Sequence, residues 1–238
     1  MRLFQNSAFY PSYLARLNQL AAGAPSFDAR RRIFLDDRFG ALHFLKPVLD
    51  GDPEAFFTNG DDEILQRHWA REQGLAGKPT LEAILLAQIE HHRAEVFYNM
   101  DPVRYPSAFV RKLPGTVRQT LCWRAAPSGN ADLTAYGAVL GNFPSILESW
   151  RSKGCRAELF FPAHDPVMDD YGHGDRPIDV LFVGSSLNDS WACKAGARTL
   201  CVNPESVDYT NTLVWTDYLR DMSSLSEILP FAVRAGRS

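Results

Sequence analysis

Four cysteines are all this chain has, Cys122, Cys155, Cys193 and Cys201, and none forms a C-x-x-C pair or a metal-ligand pattern. Most lie in apolar segments, where cysteine behaves as a small hydrophobe. A disulfide framework and a zinc module are therefore not expected, and reduced thiols predict a cytoplasmic protein. Long apolar runs are missing too. No stretch approaches the length of a membrane span, and the opening M-R-L-F-Q-N-S has no signal-peptide core. Charge of one sign is not in excess, with 25 Lys and Arg against 28 Asp and Glu and a net charge of -3. General attraction to nucleic acid or anionic lipid is not implied. G-x-x-x-x-G-K-[ST], G-x-S-x-G, H-E-x-x-H and a well-placed G-x-G-x-x-G are all absent, which argues against P-loop, hydrolase-elbow, zincin and ordinary dinucleotide functions. Asp169, Asp170 and His173 match no metal-site class, so no metal is expected. There is no internal repeat and no low-complexity tract.

What the chain does have is 238 residues, enough for a substantial core, with strands and helices in alternation. Short apolar runs predict strands at 3–5, 55–58, 96–98, 117–123, 138–141, 158–161 and 178–183. Helix-like spacing marks 13–22, a single long stretch carrying Ile33, Phe34, Phe39, Leu42, Leu45 and Val48, one opening at Asp61 or Asp62, one capped by Thr80, and 143–153. The cluster Arg30, Arg31 and Arg32 reads as a solvated helix face. This alternation predicts an α/β fold with a doubly wound, mainly parallel, Rossmann-like sheet. Residues 1–165 form that domain in this reading. A linker rich in Pro, Gly and Asp follows at 166–177, and 178–238 is a short second Rossmann-like α/β fragment.

In an open parallel sheet, ligands bind beyond the carboxyl ends of the strands. The polar residues that follow the predicted strands are therefore the candidates. They are Asn59 and Asp61 after the second strand, Asp101 after the third, Arg124 after Trp123, Asn142 after Gly141, and His164 with Asp165 after the run at 158–161. Amides, acids, a guanidinium and a histidine at successive strand ends suit a polar ligand such as a sugar or phosphorylated metabolite. Polar residues also end ordinary strands because turns favour them. Asp101 or His164 is the candidate catalytic base, with Asp165 orienting His164. Asn59, Asp61, Arg124, Asn142 and His91 are candidates for substrate binding. His91 and His92 end a helix, a placement its dipole also favours. Gly184 and Ser185, in the loop after the strand at 178–183, are the nucleotide-binding candidates.

Several separate stretches, in one order, resemble the amino-terminal half of bacterial glycosyltransferases of the GT-B fold. They include F-F-T-N-G-D-D-E, I-E-H-H-R-A-E-V-F-Y-N-M-D-P, L-C-W-R-A-A-P-S-G, L-G-N-F-P-S-I-L-E-S-W, F-F-P-A-H-D-P-V-M-D and R-P-I-D-V-L-F-V-G. The resemblance covers residues 1–184. It implies an acceptor-side domain, a nucleotide-sugar donor as co-substrate, a sugar or polymer acceptor, and no required metal or other cofactor. In that family the last stretch opens a donor domain of well over a hundred residues, and only about fifty follow here. A partner chain or a second copy of this one would complete the cleft. Residues 179–203 instead resemble the last part of haloacid-dehalogenase-like phosphatases. Ser185 stands where their first metal-binding carboxylate belongs, leaving Asp189, and Arg38 takes the second aspartate's place in the nucleophile-like F-L-D-D-R-F-G. The expectation is a glycosyltransferase. The alternatives are a non-catalytic sugar- or nucleotide-binding module and a phosphohydrolase relic.

Overall fold

In the computed structural model the described residues are 1–9, 11–126, 129–163, 165–171, 180–183, 199–202 and 233–234. They fall into two compact units. The first comprises Met1–Tyr10, Ala21–Asp36 and Gly40–Ala163, and the second comprises Pro11–Leu20, Asp37–Phe39 and His164–Ser238.

The first unit is an α/β structure around a six-stranded sheet. Its strands are β1 (Leu3–Ser7), β2 (Ala55–Asn59), β3 (Val96–Asn99), β4 (Gln119–Trp123), β5 (Ala138–Gly141) and β6 (Ala157–Leu159). They are ordered β2-β1-β3-β4-β5-β6, and every pairing is parallel. All five residues of β1 are buried, as expected of a central parallel strand covered on both faces. On one face Phe4, Phe97, Cys122 and Val139 pack in a single core with side chains from three helices. Counting helices along the chain from α1 (Pro11–Leu20), α2 (Phe27–Asp37), α3 (Lys46–Leu49) and α4 (Glu63–Glu72), these three are α5 (Leu81–His91), α6 (Ser107–Val110) and α7 (Pro144–Arg151). Register places Phe57 opposite Gln5, one residue on from the Phe4–Phe56 pair, and so on the other face. There Phe34 of α2 and Phe44, just before α3, lie with ring centroids 5.8 and 5.2 Å from Phe57.

The single long helix expected through Val48 is broken into three pieces. Arg38 has φ 60° and Gly40 φ 75°, left-handed conformations that end α2 and that glycine adopts without a Cβ penalty. A 3-10 turn at Ala41–His43 follows, then α3, with a proline in its first turn. Strand β6 covers Ala157–Leu159 rather than 158–161, and α6 had no counterpart in the sequence reading. The cap at Thr80 is as expected, its hydroxyl accepting from the Ala83 amide.

Arg30 overturns the reading of its cluster as a solvated face. It is 2 % exposed, and its Nε donates to Asp62 Oδ2 at 2.6 Å. The other oxygen of the same carboxylate caps α4 by accepting from the Leu65 amide at 3.1 Å. Arg31 lies with its guanidinium 5.7 and 5.6 Å from the ring centroids of Phe27 and Phe56. One carboxylate therefore both starts a helix and neutralises a buried cation.

In the second unit Tyr13 of α1 stacks on Phe39 at 3.8 Å and donates its hydroxyl to Asp37, which Arg16 also contacts at 3.2 Å. Arg38 forms a two-pronged pair with Asp165. Pro166–Tyr171, the opening of the stretch read as a linker, is a 3-10 helix. Strands β7 (Val180–Val183) and β8 (Thr199–Val202) pair parallel, and β9 (Val233–Arg234) pairs antiparallel to β8. The helix expected near Leu187 and the closing strand and helix expected after residue 215 lie outside the described residues.

Replacing Asp62 with Ala removes a helix cap and leaves Arg30 buried without its partner. An unfolding titration is expected to register a loss of about 3–5 kcal/mol, with a smaller loss for Asp62→Asn, which keeps a capping oxygen. A loss under 1 kcal/mol in Asp62→Ala would show that the pair is not structural.

Candidate functional site

The carboxyl ends of β1, β2 and β3 are joined by a closed circuit of buried hydrogen bonds. Asn6, the fourth residue of β1, accepts from the Gly60 amide and donates to Asn99 Oδ1, both at 2.8 Å. Asn99 donates to the Tyr136 hydroxyl at 2.7 Å, and Tyr136 donates to the Tyr105 carbonyl at 2.6 Å. The Tyr105 hydroxyl then returns to the Gly60 carbonyl at 2.9 Å. Asn6 and Asn99 can meet because parallel register sets them side by side. Gly60 is required by space: a Cβ there would lie 2.7 Å from Asn6 Oδ1 and 2.9 Å from the Tyr105 hydroxyl.

Strand order changes direction between β1 and β3, and this is where an open α/β sheet forms its ligand crevice. Two carboxyl groups stand there. Asp101 is held by Arg104, whose Nε donates to it at 2.9 Å, while its own amide donates to Asn99 at 3.0 Å. Asp61 accepts from the Phe9 amide, and burial, reinforced by the charge of Asp101, pushes its carboxyl up to about 6. Its Oδ1 is buried without a hydrogen-bond partner. Asn59, at the end of β2, is fully buried, and both ends of its amide lack partners.

Further along the same edge, Arg124 follows β4 and Asn142 follows β5. The two are neighbours through the Arg124 amide, which donates to the Leu140 carbonyl at 2.8 Å, and Gly141 approaches the Arg124 carbonyl so closely that a Cβ would lie 3.0 Å from it. Arg124 Nε and Asn142 Oδ1 are both buried and unpartnered. Buried polar atoms in folded proteins nearly always have partners, and one without calls for a reason such as a ligand.

The remaining candidates divide. His91 belongs to the opposite edge, since the helix that precedes a parallel strand ends where that strand begins. It sits with His92, Arg2, Glu54 and Phe56 around a cavity of about 190 Å³ at the amino ends of β1 and β2, and so does not share the crevice of Asp61 and Asp101. His92 stacks on Phe56 at 3.6 Å, and burial, then the neighbouring His91 and Arg31, lower it to about 4. Asp165, expected to orient His164, accepts from Arg38 on both its oxygens. His164, Gly184, Ser185 and Asp189 lie outside the described residues. Among the described residues, no three His, Cys, Asp or Glu side chains form a metal-binding group.

The sequence reading passed over Asn6, Tyr105 and Tyr136. The only signal was asparagine near the ends of three strands, Asn6, Asn59 and Asn99. It could not show that two of these bond to each other while the third is left without partners.

Fold and site together define a class, an α/β protein with a mainly parallel, Rossmann-like sheet and a row of buried, unpartnered polar groups along its carboxyl edge. No protein-family model, curated protein sequence or solved structure matches this chain. No helix among the described residues is long and apolar enough to cross a membrane.

Asp61 and His92 pull stability in opposite directions with pH. Asp61, raised from 3.8 to about 6, contributes stability at low pH that is lost as pH rises through 6. His92, lowered from 6.5 to about 4, contributes stability present above 6.5 that is lost as pH falls toward 4. Asp61→Asn is therefore expected to melt higher than the parent at pH 8 and to lose stability more steeply between pH 6.5 and 4.5. Calorimetric melts across that range would show superimposable profiles if Asp61 were not buried in its neutral form. Separately, Gly60→Ala is expected to lower Tm by several degrees by pushing Asn6 and Tyr105 apart, and an unchanged Tm would mean the circuit is slack.

Proposed function

We propose that the first unit is the acceptor side of a glycosyltransferase of GT-B type, taking a sugar from a nucleotide-sugar. The observation that carries this reading is the state of the residues nominated from sequence. Asn59, Asp61, Arg124 and Asn142 each hold a buried polar atom without a protein partner, all along the carboxyl edge of one sheet. A polyhydroxyl ligand supplies many donors and acceptors in a small volume, which is what such an edge lacks.

In this proposal Asp61 is the better base than Asp101. It has an unpartnered oxygen and a pKa close to working pH, as general-base catalysis requires. Asp101, held by Arg104, positions the crevice and keeps the Asp61 proton affinity high. Asp61 would take the proton from the acceptor hydroxyl as its oxygen forms a bond to the anomeric carbon. The bond from that carbon to the nucleoside diphosphate breaks, and the diphosphate leaves with the electron pair. Arg124 supplies positive charge for acceptor placement, and Asn59 and Asn142 bond its hydroxyls. His164, Gly184 and Ser185 remain the candidates for a second base and for donor contacts.

The test is transfer of labelled sugar from a panel of nucleotide-sugars to mixed glycoside acceptors by the full chain, with nucleotide-sugar binding followed by thermal shift. Asp61→Asn is expected to lower kcat by about 10²-fold or more with little change in acceptor KM. Arg124→Ala is expected to raise that KM about tenfold, the loss of one charge-assisted contact. Folded protein that neither binds a nucleotide-sugar nor transfers one would overturn the proposal for this chain by itself.

A further inference from the structure

The corner of the sheet beside Arg124 and Asn142 carries an unusual surface. All three phenylalanines that are exposed among the described residues lie there, Phe143 at 50 %, Phe160 at 36 % and Phe161 at 63 %, with Leu159 at 53 %. Three short connections join this apolar group to the polar pair. Phe143 directly follows Asn142. The Phe160 amide donates to the Gly141 carbonyl at 2.9 Å, beside Asn142. The Phe160 ring meets the Trp123 ring edge-on at 6.3 Å, immediately before Arg124. Contiguous exposed apolar surface rimmed by polar groups marks a binding surface rather than ordinary exposure. In a sheet whose central strand is buried throughout, the edge strand β6 instead turns its last residues outward.

We infer that the acceptor is amphiphilic: a sugar whose hydroxyls meet Arg124 and Asn142 and whose aglycone is an alkyl or aryl group lying across Phe143, Phe160 and Phe161. This rests on the proposed acceptor site and adds the chemical class of what enters it. The occupant follows from continuity. The exposed aromatic surface begins at Phe143, directly after Asn142, and reaches the Arg124 end of its strand through the Phe160 ring on buried Trp123, so a ligand satisfying these two groups extends over it or leaves it wet. An alkyl or aryl chain covers phenylalanine with no polar group to desolvate, and each methylene it buries is worth roughly fourfold in affinity.

The probes are methyl and octyl β-D-glucopyranoside, galactopyranoside and mannopyranoside, with 1-octanol as the sugar-free control. Each is titrated against the full chain by calorimetry below the micelle concentration. At least one octyl glycoside is expected to bind at least tenfold tighter than its methyl partner, and 1-octanol far more weakly than either. In Phe143→Ser/Phe160→Ser, both substitutions at exposed positions, the octyl-to-methyl affinity ratio is expected to fall toward one, with melting unchanged. Equal affinity for methyl and octyl glycosides would overturn the amphiphile and leave the acceptor site standing. Octanol binding as tightly as octyl glycoside would also overturn it, showing only a sticky surface. If sedimentation finds a dimer that Phe143→Ser/Phe160→Ser dissolves, the surface is an interface between copies and the inference fails. No binding of any glycoside by folded protein would overturn the acceptor reading itself.

Discussion

The architecture of the first unit depends on the circuit through Gly60, Asn6, Asn99, Tyr136 and Tyr105. Three adjacent parallel strands end in polar residues, and their ends would otherwise place buried amides and carbonyls in a dry interior. An unsatisfied buried polar group costs about 1–3 kcal/mol, whereas a satisfied one contributes only about 0.5–1.5 kcal/mol. The circuit matters more for what it avoids than for what it adds. It also ties the loop after β2, the turn before α6 and the loop before β5 to one point, so the crevice has a rigid floor. Because its members are neutral, it holds that floor without setting the charge above it.

Against that floor, two neighbouring aspartates have opposite fates. Asp62 faces a buried arginine and a helix N-terminus, so its charge is matched on both sides. Asp61, one residue earlier, has a backbone amide on one oxygen and nothing on the other, with a second carboxyl nearby. The first stabilises the fold and the second strains it in the ionised form. That division, stability at one residue and poised chemistry at the next, fits a site that must be firm yet reactive.

The sequence was informative where a local rule decides the outcome. Apolar runs became strands, Thr80 and Asp62 became caps, and Asn59, Asp61, Asp101, Arg124 and Asn142 end or follow strands that all end on the same side, because every pairing in that sheet is parallel. It was misleading where partners come from afar. Arg30 looked solvated because its partner Asp62 is remote in sequence. The long helix through Val48 broke at Arg38 and Gly40, where periodicity continued although the backbone turned left-handed. His91 looked like a site residue because a histidine can act as a base or bind an anion, but it ends the helix that precedes β3 and so lies at the opposite end of the sheet.

The sequence alone therefore determined the class of fold and the edge where polar chemistry collects, since hydrophobic spacing and strand polarity are local properties that parallel pairing turns into a shared direction. Only the tertiary structure decided which polar residues are used up and which remain free. Asn6 and Asn99 are spent on each other, on the Gly60 amide and on the Tyr136 hydroxyl, while Asn59, Asp61, Arg124 and Asn142 keep atoms without partners. That difference rests on distances between residues far apart in the chain, and hydrogen bonds act over about 3 Å, a scale no pattern along one strand can express.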